Sequence, residues 1–333
     1  MGDDASMLRV ATPSRLHFGL LVPGAGDRRR FGGLGLALTQ PRLLLEAHPA
    51  PAWTITGPEA ERAHQCLQKL LQHSELAQAP PLHIKILEHI PAHVGLGSGT
   101  QLALALAWLL GKAAGLRPTL ADLLRWTGRA ARSVVGTAAF ARGGFILDFG
   151  QRHPASPTPT FLRLEFPPPW HIAVLLPQYR PGLHGPAENE VFAQLGPEAN
   201  RLSERLCRLA LLEILPALLE RRYFDFAEGL WEYNRLAGEC FRPWQGGSPY
   251  NEMVGQITAT IRERGLPAVG QSSWGPALFA IAPADLLGEM LQFIRQHYCE
   301  AIKEIIITTA NATGAWYETA MSRGRVFALD SEA

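Results

Sequence analysis

The stretch Pro91-Ala-His-Val-Gly95-Leu-Gly97-Ser98-Gly99-Thr100-Gln101 places three glycines within five residues. It lies between a strand-like run, Leu82 to Ile90, and a helix-like run, Gln101 to Gly111. Glycine lets the backbone come close to a ligand with its N–H groups forward. A helix starting here points its positive dipole end at the same spot. Ser98 and Thr100 add hydroxyls that can reach phosphate oxygens or a metal ion. The chemistry this pattern suits is anion binding, phosphate above all. A plainer reading has Ser98 capping the helix and the glycines shaping a turn. The Gly-Lys-Ser/Thr ending of a P-loop is absent, and the dinucleotide fingerprint does not fit.

The elements that must hold this loop alternate between strands and helices. Leu8 to Val22 reads as a strand, a turn and a second strand, and Leu43 to Ala47 reads as another strand. Glu59 to Leu71 carries apolar residues at helical spacing. Thr119 to Arg132 is a helix with Thr119 as its cap and Asp122 in its first turn. Gly143-Gly144 turns into a strand that ends at Asp148. Six prolines between His153 and Trp170 mark a linker, with room for a short strand from Phe161 to Phe166. Beyond it come a buried strand from Ile172, helices at Asn200 to Glu220, Phe226 to Gly238 and Leu286 to His297, and strands at Ala277 to Ile281 and Ile302 to Thr308. The expectation is an α+β protein in two parts, residues 8–168 and 169–333.

Composition narrows the partners. The 333 residues are 47% hydrophobic and 18% charged, enough for a substantial core. With 31 basic against 30 acidic residues, no general nucleic-acid surface is expected. Arginine far outnumbers lysine, which suits bidentate phosphate or carboxylate contacts. The four cysteines are scattered without metal-ligand or redox spacing. The longest apolar run, Leu102 to Leu110, is too short to cross a bilayer. The first residues lack the basic and apolar regions of a signal peptide, so a cytoplasmic setting is expected.

The glycine loop resembles the phosphate-binding motif of the GHMP kinase superfamily, with Ser98-Gly99-Thr100-Gln101 where Ser-Ser-Ala is usual. Four segments are together closer to one branch, the β-ribofuranosylaminobenzene 5′-phosphate synthases. They are Pro13 to Leu20 with Gly32 to Leu36, the loop His93 to Gln101, Arg132 to Asp148, and Gly270 to Pro276. The resemblance implies a fold with an S5-like N-terminal domain and a ferredoxin-like C-terminal domain. It implies condensation of phosphoribosyl diphosphate with 4-aminobenzoate or 4-hydroxybenzoate, releasing diphosphate and CO2 in early methanopterin biosynthesis. Mg2+ as cofactor and a homodimer follow from the same resemblance. Mevalonate-type kinases carry a catalytic acid seven positions before the paired glycines, where this chain has Gly136. A glycine cannot act as a base. An ATP-dependent small-molecule kinase and a non-catalytic phospholigand sensor stand as the alternatives.

Against that background the candidate residues take roles. Gly95, Gly97, Ser98, Gly99, Thr100, Gln101 and Ser133 would hold phosphate, with Ser272 and Ser273 closing from the second part. Arg15 and His17 sit two apart on one strand and face the same side. They form a ligand-facing pair, or a surface arginine beside a structural histidine. Arg132 and Arg142 are phosphate contacts or simple helix-dipole partners. Asp148 either accepts structural hydrogen bonds or holds Mg2+ through water. Glu188 is a metal candidate in the loop 181–189, for which a lid and a solvated acidic loop are the two readings.

Overall fold

Leu8–Val22 forms one continuous strand, β1, of 15 residues. The expected turn inside it is instead a pair of irregularities in its antiparallel ladder with β2 (Phe31–Pro49), at Pro13/Ser14 and His17/Gly19. Proline lacks a ladder donor and glycine relaxes the backbone, so the strand bends there without ending. Arg15 and His17 lie between the two bends. The computed structural model describes residues 7–24, 29–152, 160–178, 190–191, 194–244, 252–273, 275–320 and 322–327. Glu188 and Trp274 fall outside them.

The first sheet continues with β3 (Thr54–Thr56), β4 (Leu82–Glu88), β5 (Phe145–Asp148) and β6 (Phe161–Leu164). With β11 (Trp316–Thr319) and β12 (Arg323–Arg325) included, its order is β12-β11-β1-β2-β4-β3, with β5 bridging β2 and β6. The second sheet holds β7 (Trp170–Pro177), β8 (Val269–Gln271), β9 (Leu278–Pro283) and β10 (Ile302–Thr308), ordered β10-β7-β9-β8 and antiparallel throughout. A cut at residue 168 separates the two sheets with one exception. β11 and β12 return to the first sheet, where β11 pairs with β1 from Leu8↔Thr319 to Ala11↔Trp316. This pairing covers a long strand edge that would otherwise expose its N–H and C=O groups.

Four helices accompany the first sheet: α1 (Ala60–Leu70), α2 (Ser98–Ala113), α3 (Leu120–Thr127) and α4 (Val135–Arg142). Every residue of α2 from Gln101 to Gly111 is buried, as a helix apolar on all sides requires. Among the described residues no helix is long and apolar enough to cross a membrane. Thr119 and Asp122 make the expected reciprocal cap of α3.

The expected helix from Asn200 to Glu220 is broken into pieces. After a 3-10 turn come α5 (Ser203–Arg208), a π-helical turn at Leu209–Ile214, and α6 (Leu215–Leu219). Pro216 explains the widening, because its ring conflicts with the carbonyl four residues earlier. α7 (Tyr223–Glu239), α8 (Glu252–Glu263) and α9 (Ala284–His297) follow. Phe18 of β1 stacks with Phe145 at 5.9 Å and meets Phe279 of the second sheet edge-on at 5.0 Å. One apolar core therefore joins the two sheets.

Candidate anion-binding site

Gly97, with φ 81°, is the residue that admits the chain into α2. The left-handed region costs a side chain about 1–2 kcal/mol, so glycine is suited to it. Gly97 is also the cap, and no side chain caps this helix. Ser98 is thus the first helical residue and not the cap; its hydroxyl accepts from Arg62 at 3.3 Å. Among the described residues, none of the N–H groups of Gly95, Leu96, Gly97, Ser98 and Gly99 donates to a protein acceptor. The first N–H groups of a helix have no partner within it. Five amides in a row at the positive end of a 16-residue helix make a candidate anion cradle.

The cradle is fixed from two sides. From β1, the Arg15 backbone N–H donates to the Leu96 carbonyl at 3.1 Å, and the Arg15 guanidinium donates to the Gly95 carbonyl. A Cβ on Gly97 would lie 3.2 Å from Arg15 Cγ. From the second sheet comes the turn 270–277. Ser272 Oγ donates to the Gly95 carbonyl at 2.7 Å and accepts from the His17 N–H at 3.1 Å. The Ser273 N–H donates to the His17 carbonyl at 2.9 Å, and the Ala277 N–H donates to the Val94 carbonyl at 3.1 Å. A Cβ on Gly275 would strike Val94 at 2.0 Å, so a side chain there would force the turn and the loop apart. Three segments far apart in the chain thereby meet at Gly95.

His17 is not ligand-facing. Its ring accepts from the Gly19 N–H at Nδ1 (3.2 Å), so Nε2 carries the proton and donates to Ser133 Oγ at 3.1 Å. Ser133 in turn donates to Asp148 Oδ2 at 3.2 Å and accepts from the Val135 N–H. Burial first, and then the positive charge of Arg15, push the His17 imidazole down to about 3. It is neutral at ordinary pH. Asp148 also accepts from the N–H groups of Val134 and Gly150, both at 2.8 Å, and is fully buried. Burial raises its carboxyl above the usual range, against the pull of these donors. Both oxygens are occupied, which favours the structural reading of Asp148 over metal binding. Among the described residues no three His, Cys, Asp or Glu side chains converge on a metal-sized site. Among the described residues, the donor set around Asp148 does not fit a magnesium ion held by the protein.

The remaining candidates separate. Gln101 is buried and spends its amide on the Gly136 carbonyl at 2.8 Å, which ties α2 to α4 and takes it out of phosphate contact. A Cβ on Gly136 would lie 3.2 Å from Thr100 Cγ2, so a side chain at the kinase acid position would press on Thr100. Arg132 and Ser133 lie at the start of α4, near the cradle, whereas Arg142 ends that helix, about 10 Å away along its axis. Beside it, a Cβ on Gly143 would meet the 311–314 turn. Sequence reading missed Arg62 and Arg129, whose guanidinium groups flank Gly99. It also missed Asn234 of α7, whose amide donates to the Phe18 and Gln271 carbonyls and accepts from the Gln271 N–H. Nothing in a lone helical asparagine announces such a clasp; only the approach of β1 to the 270–277 turn creates it.

Residues 61–144 match the GHMP kinases N terminal domain family. A homoserine kinase from Cytophaga hutchinsonii superposes with a TM-score of 0.63 at 14% identity, covering 94% of this chain and 98% of that one. Mevalonate diphosphate decarboxylase from Staphylococcus aureus gives 0.63 at 14% identity, covering 94% and 98%. These likenesses define the class by fold: a GHMP-kinase-like α+β protein. A curated protein from Methanothermobacter thermautotrophicus, β-ribofuranosylphenol 5′-phosphate synthase, is 30% identical over 311 residues, covering 86% of this chain and 93% of its own. The protein of the same name from Methanocaldococcus jannaschii is 27% identical, covering 92% and 98%. The chain belongs to the β-ribofuranosylphenol 5′-phosphate synthase family.

Proposed function

We propose that this protein joins C1 of phosphoribosyl diphosphate to the ring of 4-hydroxybenzoate or 4-aminobenzoate, releasing diphosphate and CO2. The observation that carries the reading is the row of five unengaged amides from Gly95 to Gly99, in a chain of this family. As the C1–O bond breaks, its electron pair leaves on diphosphate, and the amides and the α2 dipole stabilise the growing charge. C1 acquires oxocarbenium character. The ring carbon bearing the carboxylate supplies the electron pair of the new C–C bond. Loss of CO2 then returns the C–carboxylate electron pair to the ring and restores aromaticity. Arg15, Ser272 and His17 act at one remove, holding Gly95 in place. Magnesium, in this reading, arrives as counter-ion of the substrate's diphosphate. The phenol in the relatives' name corresponds to the hydroxy acid as acceptor. A homodimer and a cytoplasmic setting belong to the same reading.

Purified protein given phosphoribosyl diphosphate, Mg2+ and each aromatic acid in turn should form ribosyl-arene phosphate, diphosphate and CO2 in equal amounts, followed by mass spectrometry. Absence of all three products with both acids would overturn the reading. ATP consumption with an alcohol acceptor would replace it with a kinase, which Gly136 disfavours. Tight binding of phosphoribosyl diphosphate without turnover would replace it with a sensor.

A further inference from the structure

Gly99 stands where the superfamily motif usually has a serine, and the space this leaves is not vacant. A Cβ at residue 99 would lie 2.8 Å from one guanidinium nitrogen of Arg62 and 3.7 Å from one of Arg129. Arg62 comes from α1 and Arg129 from the segment after α3. Arg62 is held over the α2 terminus by two contacts at 3.3 Å to Ser98 Oγ and by Glu59 at 3.3 Å. Among the described residues, Arg129 has no carboxylate partner. Arg129 is exposed to solvent, and the positive charges of Arg62 and Arg132 lie close enough to act on its guanidinium. Two cations drawn together at the positive end of a helix repel each other and the helix dipole. An anion bearing several charged oxygens would offset that repulsion.

We infer that Arg62 and Arg129 form a two-arginine clamp for the diphosphate end of the substrate, admitted to the α2 terminus by the missing side chain at Gly99. The inference rests on the proposed reaction for its substrate and deepens it. The planar guanidinium offers paired donors that match phosphate oxygens, which a serine hydroxyl cannot do. The clamp would grip the group that leaves and carry its charge as C1 is released. The ribose 5-phosphate end makes no demand on this pair.

Calorimetry with inorganic diphosphate and, separately, ribose 5-phosphate tests the clamp on the intact protein. Arg62→Ala and Arg129→Ala should each weaken diphosphate binding by about tenfold to a hundredfold, the worth of a hydrogen bond to a charged group. Ribose 5-phosphate binding should be unchanged. Gly99→Ser should weaken diphosphate to a similar degree by displacing Arg62. Adding Arg62→Ala to Gly99→Ser should then cost little more. Arg62→Lys keeps the charge on a flexible stem and reports whether the fork geometry matters; partial recovery of affinity is expected. Unchanged diphosphate affinity in both alanine variants overturns the clamp, as does a loss confined to ribose 5-phosphate, or a fully additive Gly99→Ser/Arg62→Ala pair. A wild type that makes product while the variants keep its KM for phosphoribosyl diphosphate refutes the clamp and leaves the reaction standing. A wild type that makes no product yet binds diphosphate through these arginines refutes the reaction and leaves the clamp.

Discussion

Protonating His17 should destabilise this protein by an amount that can be worked out. The imidazole accepts from the Gly19 N–H and donates to Ser133, so a second ring proton would face an N–H already in place. Arg15 adds a repelling charge, while Asp148 is reached only through Ser133. Burial and that charge hold the folded-state value at about 3, against 6.5 for the free side chain. A base whose value is lowered on folding contributes stability above its unfolded value and loses it as pH falls towards the folded one. The slope is about 1.4 kcal/mol per pH unit in that window. From pH 6.5 to 4.5 the loss attributable to His17 is roughly 2 kcal/mol. Other carboxylates also titrate there, so the measurement is a difference. Urea unfolding of wild type and His17→Gln is followed across that range. The variant should be less stable at neutral pH, because two hydrogen bonds to buried groups are disturbed. Its deficit should then shrink by roughly 2 kcal/mol on acidification. A deficit that stays constant from pH 6.5 to 4.5 would refute the buried neutral histidine and the chain through Ser133 to Asp148.

Gly97→Val puts a β-branched residue at φ 81° and against the Arg15 side chain. The fold should persist by circular dichroism with a loss of about 2 kcal/mol or more, and diphosphate affinity in calorimetry should fall at least about tenfold. Ser272→Ala removes the one acceptor of the His17 N–H and a donor to Gly95. It should cost about 1–3 kcal/mol in urea unfolding and raise the KM for phosphoribosyl diphosphate. Gly136→Asp should crowd Thr100, destabilise the protein by about 1–3 kcal/mol and produce no ATP turnover in a coupled assay. Asp148→Asn sets an amide N–H2 against one of three donors, so thermal unfolding should fall by several degrees; calcium or magnesium in the buffer should make no difference to that loss.

The loop 91–101 was legible because its signal is local. Glycine spacing, a preceding strand and a following apolar helix all lie within thirty residues, and φ 81° at Gly97 is a demand on that one residue. The α+β class and most elements were legible for the same reason, down to the Thr119–Asp122 cap. The misreadings share a cause as well. Leu8–Val22 reads as two strands because Pro13 and Gly19 are local breakers, yet pairing with β2 and β11 carries the strand through them. Asn200 to Glu220 reads as one helix because apolar spacing does not register the local effect of Pro216 on the backbone.

Sequence alone determined how the chain enters a buried helix at 97–98, through residue types that constrain their own backbone: glycines for a left-handed entry and apolar positions for a helix that must be buried. It left the duties of the polar side chains open, because a duty depends on what lies opposite. Tertiary structure turned His17 inward to Ser133 and Asp148, set Arg142 at the far end of α4 from Gly136, and placed Thr100 against Gly136. It also brought Arg62 and Arg129 over Gly99. Hydrogen bonds and charges act over a few ångströms, and only the packing of β1, α1, α2 and the 270–277 turn sets which groups come that close.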